Sequence, residues 1–238
     1  IGLAKSENIE GPYKDCGVVI QSFENSDFNA IDANIIYDKE GKMWMPYGSF
    51  WTGIYLIELN EITGFTKENV SPIHIEGRNK SVDRAIEGPY IIYNEEFDKY
   101  YLFVSYDSLF KDYHVRVGRA DSITGPYFDI NGVKMTGLEL DPNLVGNKIL
   151  GAYKFKDSRG WLAPGHNSVL KDEKGYFIIH HARDGENKDL PYLHVRKIFW
   201  SKEGWPMVSP ERYAGEENRK IVDDEIIGNW EFLIQDKE

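Results

Sequence analysis

Two acidic residues occupy matching positions in two copies of one sequence pattern. Asp32 stands in "AIDANIIYDKEGKMWMPYGSF", which starts at Ala30, and Glu87 in "AIEGPYIIYNEEFDKYYLFVSYDS", which starts at Ala85. Each acid follows Ala-Ile and precedes an apolar, strand-like run. Two carboxyl groups facing one space can do acid–base chemistry, a protonated one donating while an ionised one steers or activates. Glycoside hydrolysis is a reaction of that kind, in which the donor protonates the leaving oxygen. Such a donor needs a raised pKa, which an apolar wall or a like charge nearby supplies. Glu87, between Ile86 and Gly88-Pro89, suits the donor, and Asp32 suits the like charge. A plainer reading gives each acid a structural task, accepting backbone N–H groups at the head of a strand. The recurrence of both at equivalent positions favours the chemical reading.

The elements that must position them are strands. Helical periodicity is nearly absent. Short alternating or apolar runs such as "YYLFVSYDS", "HVRVGRA" and "GYFIIHHARD" are broken by Gly, Asp, Asn and Lys, the pattern of strands and hairpins. "DKEGK" and "DEKGY" place glycine where a tight strand connection needs it. A third copy of the pattern, "GHNSVLKDEKGYFIIHHARD", starts at Gly165 and puts His166-Asn167 where the others carry an acid. A second motif recurs as "IGLAKSENIEGPYKD" from Ile1 and "VGRADSITGPYFD" from Val117, with Gly2 and Gly118 lying 116 residues apart, twice 58. Repeats of this size predict an all-β fold, a β-propeller with one four-stranded blade per repeat. The first strand of each blade lies innermost, so Asp32, Glu87 and His166-Asn167 are expected to converge at one end of the axis.

Composition narrows the partners. The chain has 238 residues with 28 basic and 39 acidic side chains, a formal net charge of −11. That balance repels phosphate backbones and argues against nucleic acid. No run of eighteen apolar residues marks a membrane span, and no signal peptide is visible. A single cysteine, Cys16, leaves no internal disulfide, and no zinc-spaced Cys/His cluster or phosphate-binding glycine loop occurs. The 15 Tyr, 12 Phe and 6 Trp fill β cores and also offer flat faces to sugars.

The motifs together resemble glycoside hydrolase family 43, the five-bladed propellers that include endo-1,5-α-L-arabinanases. "NAIDANIIYDKEGKMWMPYGSFWTGIYLIEL" resembles the family's second acidic motif and "AIEGPYII…YYLFVSYDS" its general-acid motif. "APGHNSVLKDEKGYFIIHHARD" resembles the later His motif, and "GWPMVSPERYAGE" the segment before the closing strands. The order is right across most of the chain, and "SFWTGI" favours arabinanases over xylosidases. The resemblance implies that Glu87 is the general acid and that Asp32 tunes it and orients the sugar. It implies that His166 helps hold a central cation, usually calcium, largely through water. A histidine hydrogen-bonded in the wall is the other reading of His166, since calcium prefers oxygen. Ser49, Phe50 and Trp51 are expected to line the cleft, with packing between blades the alternative for the two aromatics. Asn167 and Arg183 are carried as substrate-binding groups, although arginines in such strands commonly satisfy a local carboxylate.

The sequence departs from the family at Ala33, where proline is usual, and at Gly88, where alanine is usual. The larger departure is the general base of an inverting enzyme, expected in a His-Asp-Pro-like motif of the first blade. Asp141-Pro142 is the one Asp-Pro here and reads as a turn. The expectation is therefore a single catalytic domain over residues 1–238 whose first blade is absent or incomplete, completed by a missing or separate N-terminal fragment. Hydrolysis of α-1,5-linked arabinan or arabino-oligosaccharides with inversion is the expected activity. A non-hydrolytic arabinan-binding propeller, an arabinofuranosidase and a β-xylosidase are the alternatives. Substrate class places the protein outside the cell or in the periplasm. Endo or exo action is not legible, because it depends on loops at the cleft ends.

Overall fold

A computed structural model describes residues 1–217 and 219–234. The chain is all-β. In order, the strands are β1 (Gly2–Lys5), β2 (Lys14–Val18), β3 (Ile36–Tyr37), β4 (Met43–Tyr47), β5 (Ile54–Leu59), β6 (Ile73–Glu76) and β7 (Ile86–Asn94). There follow β8 (Lys99–Tyr106), β9 (His114–Ala120), β10 (Asn147–Leu150), β11 (Trp161–Asp172), β12 (Gly175–Asp184), β13 (Pro191–Trp200) and β14 (Pro206–Val208). The one α-helix among the described residues is a single turn, Asp223–Ile226.

The strands form three four-stranded sheets, β3-β4-β5-β6, β7-β8-β9-β10 and β11-β12-β13-β14, and a two-stranded ribbon, β1-β2. Every sheet connects sequential neighbours, the up-and-down meander of a propeller blade. The three sequence copies beginning at Ala30, Ala85 and Gly165 map onto the opening strands of the three sheets. Contacts gather the chain into two compact units, Ile1–Ser105 with Val117–Asn147, and Tyr106–Arg116 with Lys148–Glu238.

Alternation explains why these runs pair as they do. In the first sheet Met43 lies opposite Leu59, Met45 opposite Ile57 and Tyr47 opposite Tyr55. Odd-numbered residues of β4 and β5 thus share a face. They form a core cluster on which Ile1, Val19, Ile20, Phe28 and Val70 pack. All five residues of β4, and β8 from Tyr100 to Tyr106, are buried, so these strands are covered on both faces.

The turns are set by acid side chains that collect backbone donors. Asp38 Oδ1 accepts from Glu40 N–H and Lys42 N–H, and its Oδ2 accepts from the Trp44 indole, which closes the "DKEGK" hairpin. Asp129 repeats the arrangement with Asn131 and Val133 N–H. Asp141 caps a 3-10 turn at Pro142–Leu144 and accepts from Asn143 N–H, so Asp-Pro here is a turn as its sequence suggested. The second repeated motif is also a structural repeat. Gly11-Pro12 and Gly125-Pro126 are both cis, and Tyr13 and Tyr127 each donate to a carbonyl four residues back, Ile9 O and Ile123 O, at 2.8 Å.

Candidate active site

The first unit holds both acids. Glu87 is the second residue of β7, whereas Asp32 precedes its strand, in an irregular segment four residues ahead of β3. The two are neighbours through the backbone, with Gly88 N–H donating to Asp32 Oδ2 at 3.2 Å. Asp32 therefore does what the plainer sequence reading allowed, accepting a backbone N–H, but that N–H belongs to the residue next to Glu87. On the other side of Glu87, Phe50 N–H donates to Ile86 O at 2.7 Å. Both peptide groups that flank Glu87 are thus tied to the first sheet. Ser49, buried two residues past the end of β4, donates its hydroxyl to Glu87 Oε2 at 3.4 Å. The carboxyl is half-buried and its peptide frame is fixed on both sides.

The three matched sequence positions share a device. Asp32, four residues ahead of β3, has φ +58°, His166, inside β11, has φ +50° and Gly88, one residue past Glu87 in β7, has φ +59°. Left-handed residues at these points turn the chain locally, and Asp and His tolerate the conformation better than most side chains do. In β11 the pairing with β12 slips on both sides of Gly165, next to His166. The three matching positions are visible in sequence; the kink that each makes is not.

The segment after β4 carries more strain. Phe50 and Trp51 have φ +52° and +44°, a conformation that bulky side chains avoid, and they leave 39 % and 37 % of their surface open to solvent. They are not core packing. The loop is held at every residue. Gly53 N–H donates to Phe50 O at 2.8 Å, Arg84 donates to Trp51 O at 3.0 Å, and His74 Nε2 donates to Thr52 O at 2.9 Å. Thr52 Oγ1 bonds Asp27 O and the Tyr55 hydroxyl. Gly53 makes the close approach possible. A Cβ there would stand 2.2 Å from Glu76 O, and its φ is +118°. Two half-exposed rings held this rigidly present flat apolar faces to solvent. Arg84 was not singled out from sequence. Arg84 lies three residues before Glu87, and only the fold brings it under Trp51.

The remaining predicted residues lie in the second unit. His166 is exposed, while its neighbour Asn167 is 5 % exposed with neither side-chain nitrogen nor oxygen hydrogen-bonded to any described residue. A buried amide left in that state is unusual in a finished structure and marks a place where a ligand or water completes it. Arg183 is buried and satisfies carbonyls, not a carboxylate: Nε donates to Leu109 O at 3.0 Å and Nη1 to Lys188 O at 2.8 Å. Its guanidinium carbon also lies 4.6 Å from the Phe110 ring centroid. Arg183 thus holds the Leu109–Phe110 segment in place, a loop-bracing role beyond the one read from sequence.

Calcium takes about six to eight oxygen ligands. His166 offers one nitrogen, and among the described residues no three His, Cys, Asp or Glu side chains gather closely enough to hold a metal ion. Among the described residues these protein donors do not by themselves make a calcium site.

Residues 1–206 match the family of glycosyl hydrolases family 43. The chain belongs to this family. It is similar to the extracellular endo-α-(1→5)-L-arabinanase 2 of Bacillus subtilis, 34 % identical over an alignment that takes in 100 % of this chain and 56 % of that protein. It is also similar to the extracellular exo-α-(1→5)-L-arabinofuranosidase of Cellvibrio japonicus, 34 % identical over 82 % of this chain and 56 % of that one. Among solved structures, the endo-1,5-α-L-arabinanase of Thermotoga petrophila superimposes with a TM-score of 0.86 at 33 % identity, covering 95 % of this chain and 57 % of that chain. The blades described above are those of the family's β-propeller. The chain spans just over half the length of these relatives.

Proposed function

We propose that the protein hydrolyses α-1,5-linked arabinan or arabino-oligosaccharides, with Glu87 as the proton donor. The observation that carries the reading is the frame around Glu87. Its two flanking peptides are anchored to Phe50 N–H and Asp32 Oδ2, its Oε2 accepts from Ser49, and the strained Phe50–Trp51 step stands beside it. A proton donor must be held within hydrogen-bond reach of the leaving oxygen, and anchoring of this kind supplies the geometry.

In this reading a furanose ring lies against Phe50 and Trp51, and Glu87 gives its proton to the glycosidic oxygen as the bond to the anomeric carbon breaks. Asp32, engaged with the Gly88 peptide, orients the acid and its substrate. Water attacks from the opposite face of the ring, activated by a second carboxylate about 6.5–9.5 Å from the acid, the separation that inversion needs. Asp32 has its own task beside Glu87, so in this reading the base is a different carboxylate. The names of the relatives support an extracellular site of action, and among the described residues no helix is long and apolar enough to cross a membrane.

The test is a digestion of linear arabinan followed by proton NMR. The reading predicts that the first product formed carries the β-anomeric configuration, with xylan untouched. Release of α-configured product would refute inversion. Saturable arabinan binding without any released sugar would replace the hydrolase by a binding propeller.

A further inference from the structure

We infer that Asn34 is a positioning residue for Glu87, acting through the Ile91 peptide of the strand that carries the acid. The inference rests on Glu87 being the proton donor. The segment from Ile31 to Asn34 is fastened on one side to the end of β4, where Gly48 N–H donates to Ile31 O at 3.0 Å and Asn34 N–H to Pro46 O at 3.1 Å. On its other side lies β7, which belongs to a different sheet, so no strand ladder joins the two. Side chains make the connection. Asp32 Oδ2 accepts from Gly88 N–H at 3.2 Å, and Asn34 Oδ1 accepts from Ile91 N–H at 3.1 Å.

The spacing makes these two bonds a matched pair. Asp32 and Asn34 are two residues apart, and both are half-buried while Ile31, Ala33 and Ile35 are exposed. The burial pattern puts both polar side chains on the inward side of this segment, although the chain turns at Asp32. Along β7, Pro89 has no N–H to offer, so the donors fall at Gly88 and further on at Ile91. Within its own sheet β7 is held by β8, and its head is tied to the neighbouring sheet at Ile86 O and at Gly88, which has no Cβ and sits at φ +59°. The Asn34 bond adds an attachment to that neighbouring sheet three residues further along the strand. Glu87 projects from the end of the strand, where a small swing becomes the largest displacement. A misplacement of about 1 Å at a reacting group costs on the order of 10²-fold in rate.

The experiment compares two leaving groups. Natural arabinotriose needs a proton on its leaving alkoxide. An aryl arabinoside with a nitrophenolate leaving group departs with little help from an acid. Asn34→Ala should lower kcat on arabinotriose by about 10- to 100-fold and on the aryl arabinoside by less than about 3-fold, with KM within about 2-fold on both. Asn34→Asp, which keeps an acceptor oxygen at the same reach, should restore arabinotriose turnover. Equal losses on both substrates would mean a merely structural role, and no loss on arabinotriose would mean no role; either overturns the inference. Amide hydrogen exchange gives a readout independent of turnover. Ile91 N–H should exchange faster in Asn34→Ala and at the parent rate in Asn34→Asp, and unchanged exchange in Asn34→Ala overturns the inference. If the unsubstituted protein cleaves neither substrate, the hydrolase reading has failed, and the exchange measurement still decides whether Asn34 holds the strand. If Asn34→Ala does not fold, Asn34→Ser, whose oxygen is too short for Ile91, takes its place in every arm.

Discussion

Two buried histidines should make the second unit acid-labile. His180 and His194 face each other across β12 and β13, with ring centroids 5.3 Å apart, and both are buried. Trp161 meets His194 edge-on at 4.2 Å, and the buried Arg196 guanidinium reaches His194 Nδ1 at 3.3 Å. Burial, and then the nearby Arg196 charge, oppose a proton on either ring. The pKa of His180 is pushed down to about 3 and that of His194 to about 4. In the unfolded chain a histidine titrates near 6.5. Between those values the unfolded state binds protons that the folded state refuses, so stability is present above pH 6.5 and is lost as pH falls towards 4 and 3. From pH 7 to pH 5 the loss is about 2 kcal/mol for each ring and about 4 kcal/mol for the pair. Against a typical total of about 5–15 kcal/mol, that is a large share. Urea unfolding at pH 7 and pH 5, followed by tryptophan fluorescence, measures the loss. Comparing the parent with the double variant His180→Gln, His194→Gln isolates the two rings from the carboxylates, and the variant should lose much less. An equal pH loss in parent and variant would refute the reasoning. So would ring-proton NMR of the folded parent showing both histidines titrating near pH 6, a measurement that needs no variant.

Other perturbations address the aromatic step. Trp51→Ala should raise KM for arabino-oligosaccharides by about 10-fold or more with a smaller change in kcat, because the ring contributes apolar contact in ground and transition state alike; steady-state kinetics checks the split. Arg84→Ala removes the bond to Trp51 O and should give a milder form of the same KM effect, which Arg84→Lys partly restores. Gly53→Ala forces a Cβ to 2.2 Å from Glu76 O at φ +118°, and thermal unfolding should show a loss of about 3 kcal/mol or more.

How much of this was legible in the sequence depended on whether a feature was periodic. The alternation of Met43, Met45 and Tyr47 and the recurrence of Ala-Ile-acid gave the strands, the sheets and the two acids, because a repeated blade writes equivalent positions as equivalent letters. The glycine of "DKEGK" marked its turn, while the aspartates that close such turns, Asp38 and Asp129, act on residues two and four positions away and were not read. What joins one sheet to the next was not legible. Arg84 under Trp51, Asn34 on Ile91 and Arg183 on Leu109 span 33, 57 and 74 residues with no spacing rule behind them. The backbone strain at Phe50 and Trp51 was equally hidden. Two consecutive aromatics predict an extended strand from propensity, and only the bonds around that loop hold them left-handed. Asp32 shows both levels at once: the backbone-acceptor role and the place beside Glu87 are both real, and one bond to Gly88 creates both.

The central claim is that Glu87 is the proton donor for arabinan cleavage. It is tested most directly by turnover of linear α-1,5-arabinan by Glu87→Gln beside the parent, with arabino-oligosaccharide affinity measured calorimetrically on both. Turnover should fall about 10²- to 10⁴-fold, the usual contribution of a general acid, with affinity within a few-fold of the parent. Turnover within a few-fold of the parent would contradict it.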